Sequence, residues 1–248
     1  MKICPSLSLI LALVPSWGAA QTGDEMLQKV DRSTNPYRDR VFTVAMTTRE
    51  PGGTPRRMVM KAAERGQGAQ RIMFFKEPAD TKGMGILSED RDTLYVYLPS
   101  YHRVRRLAVH AKRQTFQGSV YTFDDMAQIT YAPDYSARVL SDDGSRVAVL
   151  ELTPRPGREL QYSKIVATVD RSVWQFTRLE YYDQDGKHIK TETRSDYRPE
   201  GNGGLMTRLH MVDLRTKTET DIEVLDHRPN VGLPKRLFTK RGLIRGKL

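Results

Sequence analysis

Apolar and polar residues alternate along most of the chain with the two-residue period of β-strands. In FTVAMTT, residues 42–48, Phe42, Val44 and Met46 fall on one face of such a strand. The alternation returns repeatedly between short segments rich in Gly, Pro and Asp, which favour turns. The pattern predicts about ten or eleven strands in a meandering antiparallel sheet. No linker or repeat divides residues 21–248, so we expect one domain there.

Helical patterns are short and few. Residues 23–32, GDEMLQKVDR, place acids ahead of apolar residues, as the first turn of a helix does. Residues 122–129 and 235–243 are weaker candidates. Adjacent Asp124 and Asp125 point in different directions on either a strand or a helix. We therefore interpret them as a helix N-cap rather than an acid–base or metal pair.

In the segment WQFTRLEYY, residues 174–182, the apolar residues do not stay on one face of a regularly alternating strand. Trp174 and Phe176 share one phase, whereas Leu179 and Tyr181 share the other. This predicts either a β-bulge or burial on both faces. Asp185-Gly186 follows and is typical of a hairpin turn, because Gly adopts the positive φ that the turn requires.

The N-terminus has the three parts of a secretory signal peptide. Lys2 precedes the apolar residues 6–14, and the small-residue stretch 16–20 ends at Ala20, after which we expect cleavage. The alternative is an uncleaved anchor, but the apolar run is shorter than the roughly 20 residues a membrane span needs. The only cysteine, Cys4, lies in residues 1–20. The sequence therefore predicts export of a protein without disulfides.

The chain is basic, with 40 Lys and Arg against 30 Asp and Glu. The excess lies in residues 93–123 and 228–248, which contain no acid. Export disfavours nucleic acid as the partner and favours anionic lipid headgroups or an acidic protein. We expect the first segment to bind such a partner through Arg103, Arg105, Arg106, Lys112 and Arg113. The alternative is a solvated basic loop without a partner.

Motifs for catalysis or metal binding are not found. The five histidines never occur in HxH, HxxxH or HExxH spacing. The serines lack a GxSxG context, and no glycine-rich phosphate loop precedes a helix. The sequence therefore predicts neither an enzyme nor a metal or cofactor site.

Large apolar side chains accumulate on the predicted inward faces of the strands, and the chain has ten methionines. They could fill an ordinary core or line a cavity for an apolar ligand; methionine adapts to ligands of variable shape. The candidate lining residues are Phe42, Met46, Met58, Met60, Met73, Phe75, Leu94, Val96, Leu98, Trp174, Phe176, Met211, Ile222 and Val224.

Several motifs in order resemble the LolA-like superfamily of periplasmic lipoprotein carriers, in its longer outer membrane lipoprotein-sorting branch. Leu98-Pro99 ends a strand, and Arg105-Arg106 follows. The next motif comprises Phe116, Gly118, Tyr121, Phe123 and Asp125. An earlier motif, before Leu98, comprises Pro78, Lys82 and Gly83. Further along the chain are the Asp-Gly-Lys hairpin and a C-terminal motif at Asn230, Gly232, Leu233, Phe238, Thr239 and Leu243. The resemblance covers nearly all of residues 21–248.

The resemblance implies an antiparallel sheet curled into an incomplete β-barrel, with short helices and loops as a lid. It further implies a periplasmic carrier that holds lipoprotein acyl chains, or another lipid-like amphiphile, and moves them between the inner and outer membranes. Expected partners are an inner-membrane exporter of the resistance–nodulation–division type or a releasing complex, and an outer-membrane acceptor. We expect a monomer.

Two other functions remain open at this point. The same fold could bind lipids or lipoproteins as a sensor and relay their presence to a regulator. Alternatively, the chain could be a structural envelope domain with a filled core. The difference between the first reading and the last is whether the apolar face of the sheet leaves room for a hydrocarbon chain.

Overall fold

The computed structural model describes residues 21–248. The predicted signal peptide, its cleavage after Ala20, and Cys4 lie outside the described residues. Thirteen strands and four short α-helices make up the described part. The strands are β1 (Asp39–Arg49), β2 (Arg56–Arg65), β3 (Gln70–Glu77), β4 (Gly85–Ser88), β5 (Leu94–Leu98), β6 (Arg103–Arg106), β7 (Tyr135–Asp142), β8 (Val147–Pro154), β9 (Lys164–Asp170), β10 (Gln175–Tyr182), β11 (His188–Glu200), β12 (Gly203–Asp213) and β13 (Glu219–Pro229). The helices are α1 (Gly23–Thr34), α2 (Val109–Lys112), α3 (Phe123–Ala127) and α4 (Lys240–Arg245), and 3₁₀ turns occupy Pro99–Tyr101 and Lys235–Leu237.

All thirteen strands form one antiparallel sheet. The order is β6-β5-β4-β3-β2-β1-β13-β12-β11-β10-β9-β8-β7. Pairing of β1 with β13 joins the two halves of the chain, and β6 and β7 are the edges. The sheet is curled but not closed into a barrel. The predicted fold class is confirmed.

Two strands exceed the predicted number, and both are edges. β6 has a single apolar residue, Val104, among three arginines, and β7 is largely exposed. Charged, exposed edges protect a sheet from pairing with other chains. In β6 the arginines remove the alternation that identifies a strand. β7 keeps that alternation at Tyr135, Ala137 and Val139, so its sequence contained a signal that the prediction missed.

Each face of the sheet packs against a different part of the chain. The inner face carries a large apolar cluster, which α1 and residues 116–135 help to cover. The outer face carries a smaller cluster around Phe74 and Tyr95. Phe238 and Leu243 from the C-terminal segment close that smaller cluster, and α4 packs on β4 and β5.

The predicted N-terminal helix is present as α1. Thr22 and Glu25 form a capping box, each side chain bonding the other's backbone N–H. Met26, Leu27 and Val30 are buried on the sheet side, as the spacing of apolar residues predicts.

The irregular phase of residues 174–182 comes from a β-bulge. Phe176 pairs with Val169, but Arg178 pairs with Thr168, so Thr177 is the extra residue. The bulge allows both Phe176 and Leu179 to face the inner cluster. Burial on both faces is therefore not needed.

The interpretation of Asp124 and Asp125 as an N-cap needs correction. The cap of α3 is Thr122, whose hydroxyl accepts from the Asp125 N–H. Asp125 completes a capping box from the third position of the helix. Both acids lie in the first turn, where carboxylates interact favourably with the helix dipole.

The described residues contain neither a membrane-spanning helix nor a cluster of metal-binding side chains. Among residues 21–248, no helix has the length and apolar character needed to cross a membrane. Within the same range, no group of three or more His, Cys, Asp or Glu side chains could hold a metal ion.

Candidate functional site

A cavity of about 970 Å³ lies on the inner face of the sheet. Its wall comprises side chains of β1, β2, β3, β12 and β13 on one side and of β9, β10 and β11 on another. Residues 119–134, which include α3 and which we call the covering segment, contribute Tyr121, Met126 and Tyr131. Well-packed interiors contain few voids larger than a water molecule. A space of this size is therefore a candidate binding cavity rather than a packing defect.

Methionine is the most frequent apolar residue in the wall. Six of the ten in the sequence border the cavity. They are Met46, Met60, Met73, Met126, Met206 and Met211. An unbranched thioether can adjust its three side-chain torsions to different neighbours. This lining suits an apolar ligand whose shape varies.

Seven of the fourteen candidate lining residues border this cavity. They are Phe42, Met46, Met60, Met73, Met211, Ile222 and Val224. They come from neighbouring strands at the centre of the sheet, in the order β3-β2-β1-β13-β12. Contact between these side chains and a ligand remains a prediction.

The other seven candidates do not border the cavity. Met58, Phe75, Leu94, Val96, Leu98, Trp174 and Phe176 belong to or pack against the inner apolar cluster instead. Phe116 lies on Phe75, with ring centroids 4.9 Å apart. Trp174 lies in a turn with φ 51°, and Lys29 of α1 lies 3.9 Å from its ring. Strand alternation identifies the face, but not which part of that face other segments cover.

β11 brings a row of charged residues onto the inner face, which the sequence analysis missed. Lys190, Glu192 and Arg194 alternate there, and Glu192 pairs across the sheet with the buried Leu179 and Met211. Lys190 and Glu192 are each 1% exposed. Burying a charge is costly unless it is paired and hydrogen-bonded. The row is therefore a constrained part of the site.

The charged row attaches the covering segment to the sheet. Lys190 Nζ donates to the Val120 carbonyl at 2.7 Å and to Asp125 Oδ2 at 3.1 Å. Glu192 accepts from the Tyr121 hydroxyl at 3.1 Å. Burial raises the pKa of Tyr121, so its hydroxyl stays protonated and can donate.

A second buried cluster attaches α3 from the opposite side. Glu64 accepts from Arg40 Nε at 2.7 Å and from Arg71 Nε at 2.6 Å. Arg71 also donates to the Met126 carbonyl of the covering segment. Burial alone would raise the pKa of Glu64, but the two guanidinium groups outweigh it and hold that pKa below its ordinary value. The carboxylate is thus ionised at neutral pH.

The N-terminal helix provides a third attachment. Asp31 of α1 accepts hydrogen bonds from the backbone N–H groups of Tyr131 and Ala132, at 2.9 and 2.8 Å. Burial raises the pKa of Asp31 to about 6, although these hydrogen bonds oppose the rise. The covering segment is therefore held at both ends and in the middle.

Exposed residues show where the cavity reaches the surface. Asp90, Arg91, Asp92, Val109 and Gly157 border the cavity and are exposed. They belong to the loop before β5, to α2 and to the loop after β8. These loops are the candidate entrance of the cavity, and an ion pair of 2.9 Å between Asp92 and Arg158 joins two of them.

The predicted basic row lies on the edge strand β6 and just beyond it. Arg103, Arg105, Arg106 and Arg113 are exposed, as expected for a surface that could contact a partner. Lys112 departs from the expectation. Its side chain is buried and donates to the Asp92 carbonyl at 2.7 Å, because α2 turns it towards the cavity.

The second basic segment lies near the first. α4 packs on β4 and β5, next to β6, and Lys240 Nζ lies 4.5 Å from the Tyr95 ring. Arg241 and Arg245 of α4 are exposed. The fold thus places α4 of the second acid-free segment beside β5 of the first.

Solved structures with similar folds come from several bacteria. A putative outer membrane lipoprotein-sorting protein domain from Vibrio parahaemolyticus superposes with a TM-score of 0.82 and 24% identity, covering 90% of this chain and 98% of that chain. A DUF1329 family protein from Desulfovibrio piger has a TM-score of 0.81 and 24% identity, covering 89% and 97%. A LolA superfamily protein from Nitrosomonas europaea has a TM-score of 0.77 and 25% identity, covering 90% and 100%.

Comparison of the sequence with protein families and with curated proteins gives two results. No curated protein matches the chain. A family model described as "Uncharacterized protein" matches residues 67–245, which is well over half of the sequence. The chain belongs to that family, and its fold is the one seen in the LolA superfamily protein from Nitrosomonas europaea.

Proposed function

We propose that the chain is a periplasmic carrier that holds the acyl chains of lipoproteins, or a lipid-like amphiphile, in its inner cavity. The observation that carries the proposal is the methionine-lined space of about 970 Å³ between the sheet and the covering segment. Binding is noncovalent, and no chemical step is required of the protein. The cargo moves between the inner and outer membranes.

The energetics of a hydrocarbon chain define what such a carrier must provide. Each CH₂ group gains about 0.8 kcal/mol when it leaves water. An acyl chain of about 15 methylenes therefore costs on the order of 12 kcal/mol to expose. Phe42, Ile222 and Val224, together with the methionines, offer an apolar surface that replaces the membrane interior. Because the volume is near the upper end of about 300–1,000 Å³ for ligand sites, it accommodates a ligand of that size.

Release requires a partner at the membrane. The exposed side chains of Arg103, Arg105, Arg106 and Arg113 suit an acidic surface on an inner-membrane exporter, a releasing complex or an outer-membrane acceptor. Opposite charges steer encounter and orient the carrier more than they add affinity. The chain acts as a monomer in this scheme.

The direct test is to identify lipids that remain bound to the protein purified from the periplasm. Native mass spectrometry should detect a lipid adduct, and organic extraction should release acyl-containing molecules. The matched control is Val224→Trp, which places an indole in the cavity and should lose the adduct while the protein stays folded. An adduct of equal abundance in both proteins, or no lipid in either after exposure to membranes, would reject the carrier function.

A further inference from the structure

Buried charges along one wall distinguish this cavity from a purely apolar one. Lys190, Glu192 and Arg194 face inward from the middle of β11, between neighbours that belong to the apolar cluster. An acyl chain alone gains nothing from such groups, since it forms no hydrogen bonds. The question is which of the three have hydrogen-bonding capacity left for a ligand.

Lys190 has none left. Its ammonium group has three N–H donors. Three acceptors surround it, namely the Val120 carbonyl, Asp125 Oδ2 and the Tyr162 hydroxyl, at 2.7, 3.1 and 3.1 Å. Lys190 is therefore a structural anchor for the covering segment.

Glu192 is also occupied by protein groups. One carboxylate oxygen accepts from Arg194 Nε, and the other accepts from the Tyr121 hydroxyl. Its main effect on the cavity is electrostatic, because its negative charge lies directly against the Arg194 guanidinium and neutralises it.

Arg194 keeps free donors at the cavity wall. A guanidinium has five N–H donors. Within residues 21–248, Nε donates to Glu192, Nη2 donates to the Tyr131 hydroxyl at 3.3 Å, and Nη1 has no protein acceptor. The side chain is only 15% exposed and borders the cavity. Because Nη1 has no protein acceptor among these residues and the side chain borders the cavity, Nη1 can donate to an oxygen of a ligand there.

The charge balance selects the kind of oxygen. Glu192 already neutralises Arg194, so a fully ionised headgroup at Arg194 would add a negative charge beside the Glu192 carboxylate without a counter-charge of its own. An uncharged carbonyl or hydroxyl oxygen accepts the hydrogen bond without that penalty. The methionines on the opposite strands can meanwhile contact the hydrocarbon part of the same molecule.

We propose that the cavity binds an amphiphile with its uncharged polar end inside, hydrogen-bonded to Arg194, and its hydrocarbon chain along the methionines. This inference rests on the proposed carrier function and specifies the class of cargo. It excludes a mode in which only the tail enters and every polar group stays in solvent.

The test compares three competitors of equal chain length for displacement of a bound hydrocarbon dye, diphenylhexatriene. They are a monoacylglycerol, a fatty acid carboxylate and a terminal alkene. For the unmodified protein we expect the monoacylglycerol to bind about tenfold more tightly than the alkene, as one hydrogen bond to a charged donor allows. The carboxylate should bind more weakly than the monoacylglycerol.

Two variants separate a headgroup site from a structural role. Glu192→Gln with Arg194→Met removes both charges together and keeps an acceptor for Tyr121, so no lone charge is buried. It should bind the alkene as before but lose the preference for monoacylglycerol. Glu192→Gln alone leaves Arg194 uncompensated and should shift the preference towards the carboxylate.

The outcomes distinguish this inference from the proposed function. An unchanged ratio of monoacylglycerol to alkene affinity in the double variant would overturn the inference and leave the carrier function intact. If the dye and all three competitors fail to bind the unmodified protein, the carrier function and this inference fall together. Circular dichroism of each variant verifies that the fold is retained.

Discussion

The two faces of the sheet bury apolar side chains in opposite ways. On the outer face, Phe74 and Leu243 pack so closely on Gly85 that a Cβ atom there would lie 2.7 Å from Leu243 Cδ1. On the inner face, more numerous apolar residues leave a space of about 970 Å³. Apolar side chains can therefore pack closely against this sheet, as they do on its outer face. The inner cavity reflects how the covering segment is held, not a shortage of apolar side chains.

The faces also differ in how they use charge. The inner face buries the Arg40–Glu64–Arg71 cluster and the row on β11, and both attach the covering segment. These attachments act as spacers, because a charged side chain that must reach its partner cannot collapse into the cavity. Paired charges thus hold the inner face apart, whereas apolar contacts close the outer face.

Glu64→Gln should have the largest effect on stability. It leaves two buried guanidinium groups without a carboxylate, and breaking a buried pair costs about 3–5 kcal/mol. The exposed pair Arg57–Glu77 is the control, where Glu77→Gln should cost at most about 1 kcal/mol. Urea unfolding at pH 7 measures both. Equal losses would mean that the inner cluster does not support the covering segment.

The same variant predicts a pH dependence. The pKa of Glu64 lies below its ordinary value of 4.5 in the folded protein, so its contribution is present above pH 4.5 and is lost as the pH falls further. The stability difference between the unmodified protein and Glu64→Gln should therefore shrink below pH 4.5. A difference that grows on acidification would contradict the assigned ion pairs.

Leu243→Ala tests the closed outer face. Removing this fully buried side chain should cost about 2–5 kcal/mol, because the cavity it leaves lies in a tightly packed cluster. Dye binding in the inner cavity should not change. Thermal unfolding and dye fluorescence provide the two readouts. A loss of dye binding in a folded variant would show that the two faces are not independent.

Replacing a small side chain by a larger one should distinguish the two faces most clearly, by its effect on stability. Val224→Trp extends into existing space and should change stability by less than about 1 kcal/mol, whereas Ile72→Trp on the outer face should cost at least 1–3 kcal/mol. Val224→Trp should also weaken dye binding about tenfold or more, since it occupies the ligand volume. Similar destabilisation by both substitutions would indicate that the inner face is filled.

The smallest effect on stability is expected at the edge strand. Replacing Arg103, Arg105 and Arg106 by Gln together should change the unfolding free energy by no more than about 0.5 kcal/mol per site. Lipid transfer to anionic acceptor vesicles should become slower and less sensitive to salt. Unchanged transfer at low salt would reject the role of these arginines in docking.

The sequence predicts the fold better than it predicts the site. Strict alternation, as in residues 42–48, identifies the strands and the inner face of β1. It does not tell which inner residues lie beneath α1 or Phe116, because those contacts join segments far apart in the chain. Phe75 and Met73 illustrate this limit, since they share a phase and a strand but only Met73 borders the cavity.

The charged row of β11 was missed for a physical reason. Alternating charges usually mark the solvent face of an antiparallel strand. In IKTETR, however, the opposite phase has a single apolar residue, Ile189, followed by Thr191 and Thr193. A strand with so few apolar residues that nevertheless lies inside a sheet must bury polar groups. That double polarity is the signal that could have identified Glu192 and Arg194.

Methyl NMR of methionine tests the central claim most directly, because the chain contains its own controls. Met46, Met60, Met73, Met126, Met206 and Met211 border the cavity, whereas the buried Met26, Met58 and Met84 do not. On titration with an acyl amphiphile, the methyl resonances of the first group should shift, with contacts to the hydrocarbon chain, and those of the second should stay in place. Equal shifts in both groups, or none in the first, would contradict a cavity that holds a hydrocarbon chain.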